Sequence, residues 1–367
     1  MKWKGNIVAD YVRYDSTQIK QWLNGVFEKL GVPPRDAQMT TEALIHADLM
    51  GIDSHGLNRV TNNSYAGGLK SGAVNPTARP EVVHEGPATA TIDGNRGLGP
   101  VAATVAMELA IEKAKQTGAG FVSVRNSSHY GASSHYSSLA LPHGMIGFSM
   151  TIGGLGVVAT GGRGRRIGIN PMSVAAPAKN RPPFILDVAT SVVAGGKLEL
   201  AIMKGQQVPL GWIVDAAGLP TTDPKEFQRG GAILPLGGGP ETGGYKGYGL
   251  SVMIDVLAGV LSGGGFVGEL RGEGGDNSTP HFQGALSIEG FSSLDSFTTI
   301  MDRMIDYLKA TEPAEGSSGV LVQGEREYAM EQERLKNGIP YHREIVGRIT
   351  ELASDTGVPL PTPVGES

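Results

Sequence analysis

The chain has no cysteine in 367 residues, which excludes disulfides, a thiol nucleophile and thiolate metal sites; any metal would rest on histidine and carboxylate. It also lacks an excess of positive charge. Lys and Arg number 31 against 36 Asp and Glu, a formal net charge of −5, and no basic cluster is long enough to form a nucleic-acid face. No uncharged apolar run reaches the ~18 residues of a membrane helix. The opening MKWKGNIVADYVRYD has no apolar signal-peptide core, so a cytoplasmic protein without membrane or nucleic-acid partners is expected.

What remains is ordinary except in one respect. Apolar content of 40% and charged content of 18% suit a folded globular chain, long enough for two domains or for one large domain with an insertion. Glycine is the exception, with 55 residues, about twice ordinary usage. Spread along the chain without a repeat, these glycines point to tight turns and close backbone approaches rather than to collagen or a linker.

Residues 15 to 30 predict a helix, with Asp15 as cap and Ile19, Leu23, Phe27 and Leu30 at helical spacing. A second helix follows Pro33 and Pro34 and stops at Gly51. A third is predicted over HGLNRVTNNSYAGG, capped by Ser54, which would put His55 and Arg59 one turn apart on one face. From about residue 80, strands alternate with helices: ATATIDG, then PVAATVAMELAIEKAKQTG, then GFVSVRN. Further strands are expected at IGFSMT, SVAAPA and FILDVAT, and helices through VAGGKLELAIMKG and YKGYGLSVMIDVLAGVLSGG. Residues 268 to 282 read as a mobile loop, and two helices around 295–311 and 341–355 close the chain.

Chemistry concentrates in three stretches. HADLMGIDSHGLNR holds His46, Asp48, Asp53 and His55, but His46 and Asp48 lie two apart on a helix and point ~200° from each other, so they do not share a metal. They read as structural support. His55 is a proton carrier near neutral pH, and Arg59 is a two-pronged carboxylate clamp, a pairing suited to a 2-oxo acid. RNSSHYGASSHYSSLA follows a strand and carries His129 and His135, one read as functional and one as packing, with His129 favoured. GGYKGYGL puts Lys246 at a helix start, whose unpaired N–H groups suit an anion. DGNRGLGPVAA has its glycines in the wrong order for a Rossmann fingerprint, so a nucleotide needs another mode of binding.

Together HADLMGIDSHGLNR, DGNRGLGPVAA, RNSSHYGASSHY, IGINPMSVAAPA, ILDVATSVVAGGKLELA, VPLGWIVDAAGLPTTDP, LPLGG, GGYKGYGLSVMIDVLAGVLSG and VLVQGERE resemble the malate/L-lactate dehydrogenase type-2 family. Its relatives include sulfolactate, ureidoglycolate and diketogulonate dehydrogenases and cyclic imino acid reductases. The resemblance implies a mixed-sheet, non-Rossmann α/β fold of the sulfolactate dehydrogenase kind in a homodimer; no linker divides the chain cleanly, so interleaved domains are expected. The division expected is an N-terminal helical region (1–80), an α/β core (81–330) and a C-terminal helical region (331–367). It implies an NAD- or NADP-dependent dehydrogenase of a small 2-hydroxy acid, malate or L-lactate in type, with no metal.

By matching motifs, the resemblance makes His55 and His129 the catalytic candidates, and Ser54 and Arg59 the substrate contacts. Asp187 is either a cofactor contact or the group that orients a histidine. Thr151, Asp187, Val188, Ala189, Thr190, Lys246, Gly247, Gly324, Glu325 and Arg326 fall where the family holds NAD(P). Two departures stand out: GPET lengthens the loop before GGYKG, and QGERE stands where a proline-containing PGE is commoner. Arg163, Arg165 and Arg166 are either readers of a 2′-phosphate or a solvated turn. A His/Asp metal-dependent hydrolase and a binding protein without catalysis are the rival readings.

Overall fold

A computed structural model of the chain describes residues 10–62 and 64–365. Most of the stretch read for a signal peptide, residues 1–9, and Asn63 of the expected third helix lie outside the described residues. Strand β1 (Tyr11–Tyr14) leads into α1 (Ser16–Lys29) and α2 (Pro34–Leu49). The Asp15 carboxylate accepts the Thr17 and Gln18 N–H groups, both at 3.0 Å, and Ile19, Leu23 and Phe27 turn inward as their spacing predicts.

The third helix does not form. A 3-10 turn at Leu57–Arg59 and the short helix α3 (Ala66–Ser71) stand in its place. Gly56, at φ −94° and ψ −139°, breaks the helical path, and Leu57 N–H goes to the Asp48 carboxylate at 2.9 Å instead of to a helical carbonyl. Ser54 caps nothing, because its hydroxyl bonds the His55 ring.

The core is built from β2 (Glu81–Glu85), β3 (Thr89–Asp93), α4 (Gly99–Thr117), β4 (Ala119–Arg125), α5 (Ser133–Ser138) and β5 (Met145–Thr151). There follow β6 (Leu155–Val157), β7 (Ile167–Gly168), β8 (Met172–Ala176), β9 (Phe184–Val188) and α6 (Gly195–Met203). Then come β10 (Ile213–Val214), β11 (Pro220–Thr221), β12 (Ala232–Ile233), α7 (Gly244–Ile254), α8 (Val267–Arg271) and β13 (His281–Ser287). The chain closes with α9 (Leu294–Lys309), α10 (Glu325–Asn337), β14 (Ile339–His342) and α11 (Arg343–Thr356).

The main sheet runs β2-β3-β4-β13-β5-β8-β9. Only β3 and β4 pair in parallel, across the α4 crossover; the other neighbours are antiparallel. A Rossmann site needs a run of parallel strands, and this sheet has none. A second sheet, β11-β10-β12-β6-β7, packs against α6. At the other end β1 pairs with β14, and Ile19, Leu23 and Phe27 share one core with Ile349 and Leu352.

Three elements differ from the expected pattern. Helix α7 continues as a π-helical stretch, Asp255–Val260. The segment expected to be mobile begins with α8 and is tied down: Arg271 donates to the Ser278 carbonyl at 2.6 Å and to the Thr279 hydroxyl at 2.8 Å. Helix α10, EREYAMEQERLKN, is polar almost all round and has no apolar period for a sequence reading to find.

Candidate active site

The two favoured histidines meet. His129 lies in the loop after β4, His55 in the turn after α2, and their rings stack at 5.6 Å with 24° between planes. Tyr65, fully buried, donates its hydroxyl to His129 Nδ1 at 2.9 Å, and Gly131 N–H donates to the same nitrogen at 3.3 Å. Burial pushes the Tyr65 phenol far up, so it stays a donor. With Nδ1 accepting, Nε2 carries the proton of neutral His129.

His55 Nδ1 faces the Ser54 hydroxyl at 2.9 Å, and Arg59 folds back so that Nε donates to the Ser54 carbonyl at 2.8 Å. Arg59 thus lies beside His55 through a tight turn rather than through the expected helix. Burial first, then the Arg59 charge, lowers His55 to about 4. His129 is also lowered well below the usual range, by burial and then by His55 and Arg59. Near pH 7 both rings are neutral, set to accept a proton and able to take up full charge only with an anion close by.

Beneath the turn lies a buried post. The Asp48 carboxylate accepts Leu57 N–H at 2.9 Å and the Tyr341 hydroxyl at 2.8 Å. Buried Arg334 donates to the Asp48 carbonyl and ion-pairs with Asp53 at 2.5 Å. Of the two supports expected from the sequence, only Asp48 holds the turn. His46 instead packs edge-on against His135 at 5.2 Å, burial lowers it to about 4, and His135 is the packing histidine. Among the described residues no group of three or more His, Asp or Glu could hold a metal ion.

The floor joins strand ends. Buried His281 bonds Thr151 Oγ1 at 2.8 Å and Ser127 Oγ at 3.0 Å, and its ring lies flat on Tyr130 at 4.5 Å. Asp187, expected beside a histidine, accepts Ser134 N–H at 2.7 Å, and burial raises its pKa. Among its described hydrogen bonds none reaches His55 or His129; a carboxylate engaged at the start of α5 leaves the tautomer of His129 to Tyr65. Tyr65, His281, Arg334 and Tyr341 carried no signal in the sequence, because each acts through partners distant along the chain.

A family model described as malate/L-lactate dehydrogenase matches residues 14–350. A malate dehydrogenase of Pyrococcus abyssi is 42% identical, over 97% of this chain and 98% of that one. The chain belongs to the malate/L-lactate dehydrogenase family. The solved structure of the Pyrococcus horikoshii malate dehydrogenase superposes with a TM-score of 0.88 at 39% identity, over 98% of this chain and all of that one. The Methanocaldococcus jannaschii sulfolactate dehydrogenase gives 0.86 at 35% identity, over 95% and 98%. The expected mixed-sheet, non-Rossmann fold is therefore the observed one.

Thr190 carbonyl accepts Leu236 N–H at 2.8 Å and Leu236 carbonyl accepts Gly247 N–H at 3.1 Å, so two expected cofactor segments are laced side by side. A Cβ on Gly247 would sit 2.4 Å from Leu236 backbone, which only glycine avoids. Val188 and Leu236 are exposed apolar side chains on these segments and Lys246 is an exposed cation, a mix that suits a flat ring joined to phosphates.

Several expected contacts are already engaged. The N–H groups of Gly244, Lys246 and Gly247 are bonded to the carbonyls of Gly239, Gly243 and Leu236 in the loop that precedes the helix, so the α7 terminus has fewer free donors than the sequence suggested. The hydroxyls of Thr151 and Thr190 donate inward, to the Pro280 and Ile169 carbonyls, both at 2.9 Å. Glu325 ion-pairs with Lys309 at 2.6 Å and accepts Val322 N–H, while left-handed Gly324 presses against Ile185 of β9. Arg326 is exposed, and Ala189 partly so. Arg165 stacks on Phe227 at 3.8 Å and donates to the Gly231 carbonyl, leaving Arg163 and Arg166 exposed.

Proposed function

We propose that this chain is an NAD(P)-dependent dehydrogenase that interconverts a small 2-hydroxy acid, malate or L-lactate in type, and its 2-oxo acid. The observation that carries the reading is the pair of neutral histidines stacked at 5.6 Å with the Arg59 guanidinium beside them. Arg59 grips the substrate carboxylate, which also offsets the Arg59 charge that adds to burial in keeping His55 deprotonated. Once the bound carboxylate lets the pair take up a proton from water, the imidazolium so formed, on His129 or on Ser54-steadied His55, gives that proton to the oxo oxygen during reduction and returns to the neutral form, with Tyr65 setting the tautomer of neutral His129. Bound nicotinamide supplies the hydride chemistry.

Lys246 holds dinucleotide phosphate, Val188, Ala189 and Leu236 line its apolar part, and Arg326 lies at the rim. The reading includes a homodimer: exposed Val252, Val256 and Val260, four apart along α7 and its π-helical continuation, form with Leu261 and Phe266 an apolar stripe that a second copy covers. The test follows nicotinamide absorbance with NADH and NADPH against a panel of 2-oxo acids. His55→Ala and His129→Ala are expected to lose turnover while keeping the far-UV spectrum. Full activity in both variants, or none in the wild type with either dinucleotide, overturns the reading.

A further inference from the structure

Asn170 is wholly buried and sits at φ +34°, outside the regions most side chains accept, with Pro171 after it. Both ends of its amide are used. Oδ1 accepts Gly153 N–H at 2.9 Å and Nδ2 donates to the Ser251 carbonyl at 2.9 Å, while the amide also faces the Asp255 carboxyl. A Cβ on Gly168 would lie 2.0 Å from Oδ1, so glycine there is what lets the side chain fold back.

The neighbouring backbone does the same work. The Pro171 carbonyl accepts Thr151 N–H at 3.2 Å; the Ile169 carbonyl accepts Thr190 N–H at 3.0 Å and the Thr190 hydroxyl; the Asn170 carbonyl accepts that hydroxyl too, at 3.2 Å. Three residues thus reach the end of β5, the end of β9 and helix α7. These are separate in sequence; β8 pairs with both β5 and β9, and Leu236 links Thr190 to Gly247, while the Asn170 amide bonds the β5 end and α7 with one side chain.

We propose that Asn170 is the positioning residue of the dinucleotide site, setting the placement of the β5 end, the Thr190 turn and the Lys246 helix relative to one another. This rests on the cofactor reading above. The hydroxyls of Thr151 and Thr190 are turned inward, so their segments serve a ligand through where they stand. The side chain joining two of these segments, beside a backbone that holds the third, is the Asn170 amide. The His55 turn is held by Asp48 and the His129 ring by Tyr65.

The test compares Asn170→Asp with the exchange Asn170→Asp/Asp255→Asn. The single variant keeps volume and the acceptor for Gly153, but turns an acceptor toward the Ser251 carbonyl and Asp255. The exchange returns an amide donor to that gap. NADH and NADPH dissociation constants are read by nicotinamide fluorescence, thermal melting checks folding, and KM for the oxo acid is measured at saturating dinucleotide. The single variant is expected to bind dinucleotide about tenfold to a hundredfold more weakly with oxo-acid KM little changed, and the exchange to recover most of the loss.

Wild-type dinucleotide binding in the folded single variant overturns the inference alone, as does a weakened single variant that the exchange fails to restore. If the single variant does not fold, a folded exchange variant with near wild-type affinity supports the inference. Failure of both to fold overturns it, making Asn170 a core residue only. A wild-type protein that binds neither NADH nor NADPH overturns the cofactor reading, and the inference with it.

Discussion

Gly56→Ala is the sharpest probe of how the substrate turn is held. A Cβ at this position would stand 1.8 Å from Asp48 Oδ1 and 2.2 Å from its Cγ, where ordinary contact begins near 3.4 Å. The φ of −94° is ordinary for alanine, and the cost that the structure shows is the clash with Asp48. Asp48 is 2% exposed and cannot swing into solvent. If its carboxylate yields, the bonds from Leu57 N–H and the Tyr341 hydroxyl are lost, about 1.5–3 kcal/mol each and so ~3–6 kcal/mol in all. If the turn yields, His55 and Arg59 move by ~1.5 Å, and misplacement on that scale costs about a hundredfold in rate.

Chemical denaturation and steady-state kinetics separate these routes. Either stability falls by several kcal/mol, or kcat/KM falls with stability kept. Removing the obstruction with Asp48→Ala in the Gly56→Ala background is expected to cost less than the two single changes added together, because both act on one contact. Wild-type stability and kinetics for Gly56→Ala, or strict additivity in the double variant, would show that the turn does not depend on the Gly56–Asp48 contact.

Three further outcomes are expected. Arg59→Lys keeps the charge but loses the planar fork, so substrate KM should rise about tenfold or more while the dinucleotide dissociation constant holds; a change in dinucleotide affinity alone would contradict the assignment. Tyr65→Phe removes the hydroxyl that fixes the His129 tautomer, and kcat should drop about tenfold with a changed pH profile; an unaltered profile would remove Tyr65 from the site. His281 has a folded pKa of about 3, lowered by burial from 6.5, so the unfolded chain takes up its proton first as pH falls. Its contribution to stability is intact above pH 6.5 and declines toward pH 3, by about 2 kcal/mol at pH 5. Denaturant midpoints at pH 7 and 5 should show His281→Gln to be less acid-sensitive than wild type; equal sensitivity counts against the assignment.

Much of the fold and part of the site were legible without coordinates. The helix over residues 16–29 was readable because its cap and apolar spacing are local, and the strands before and after α4 because period and turn residues are local too. His55, His129 and Arg59 could be picked out because their chemistry belongs to the side chain wherever it stands. The missing Rossmann fingerprint also meant that a nucleotide needs another mode of binding, since glycine order is a property of sequence, while the mixed sheet was expected from the family resemblance alone.

Folding decided the rest, for one physical reason. A hydrogen bond or a close approach is set by distance in space, and the partners that matter are far apart in the chain. The turn at Gly56 is not helical because Asp48 and Tyr341 hold it, from elements nine and nearly three hundred residues away. Lys246 lost the free amides expected around it because carbonyls in the loop before α7 accept them. Asp187 went to Ser134 and Tyr65 to His129, an exchange of partners that residue types alone leave open. The sequence determined which groups can carry a proton or grip a carboxylate, and the tertiary structure determined which of them meet.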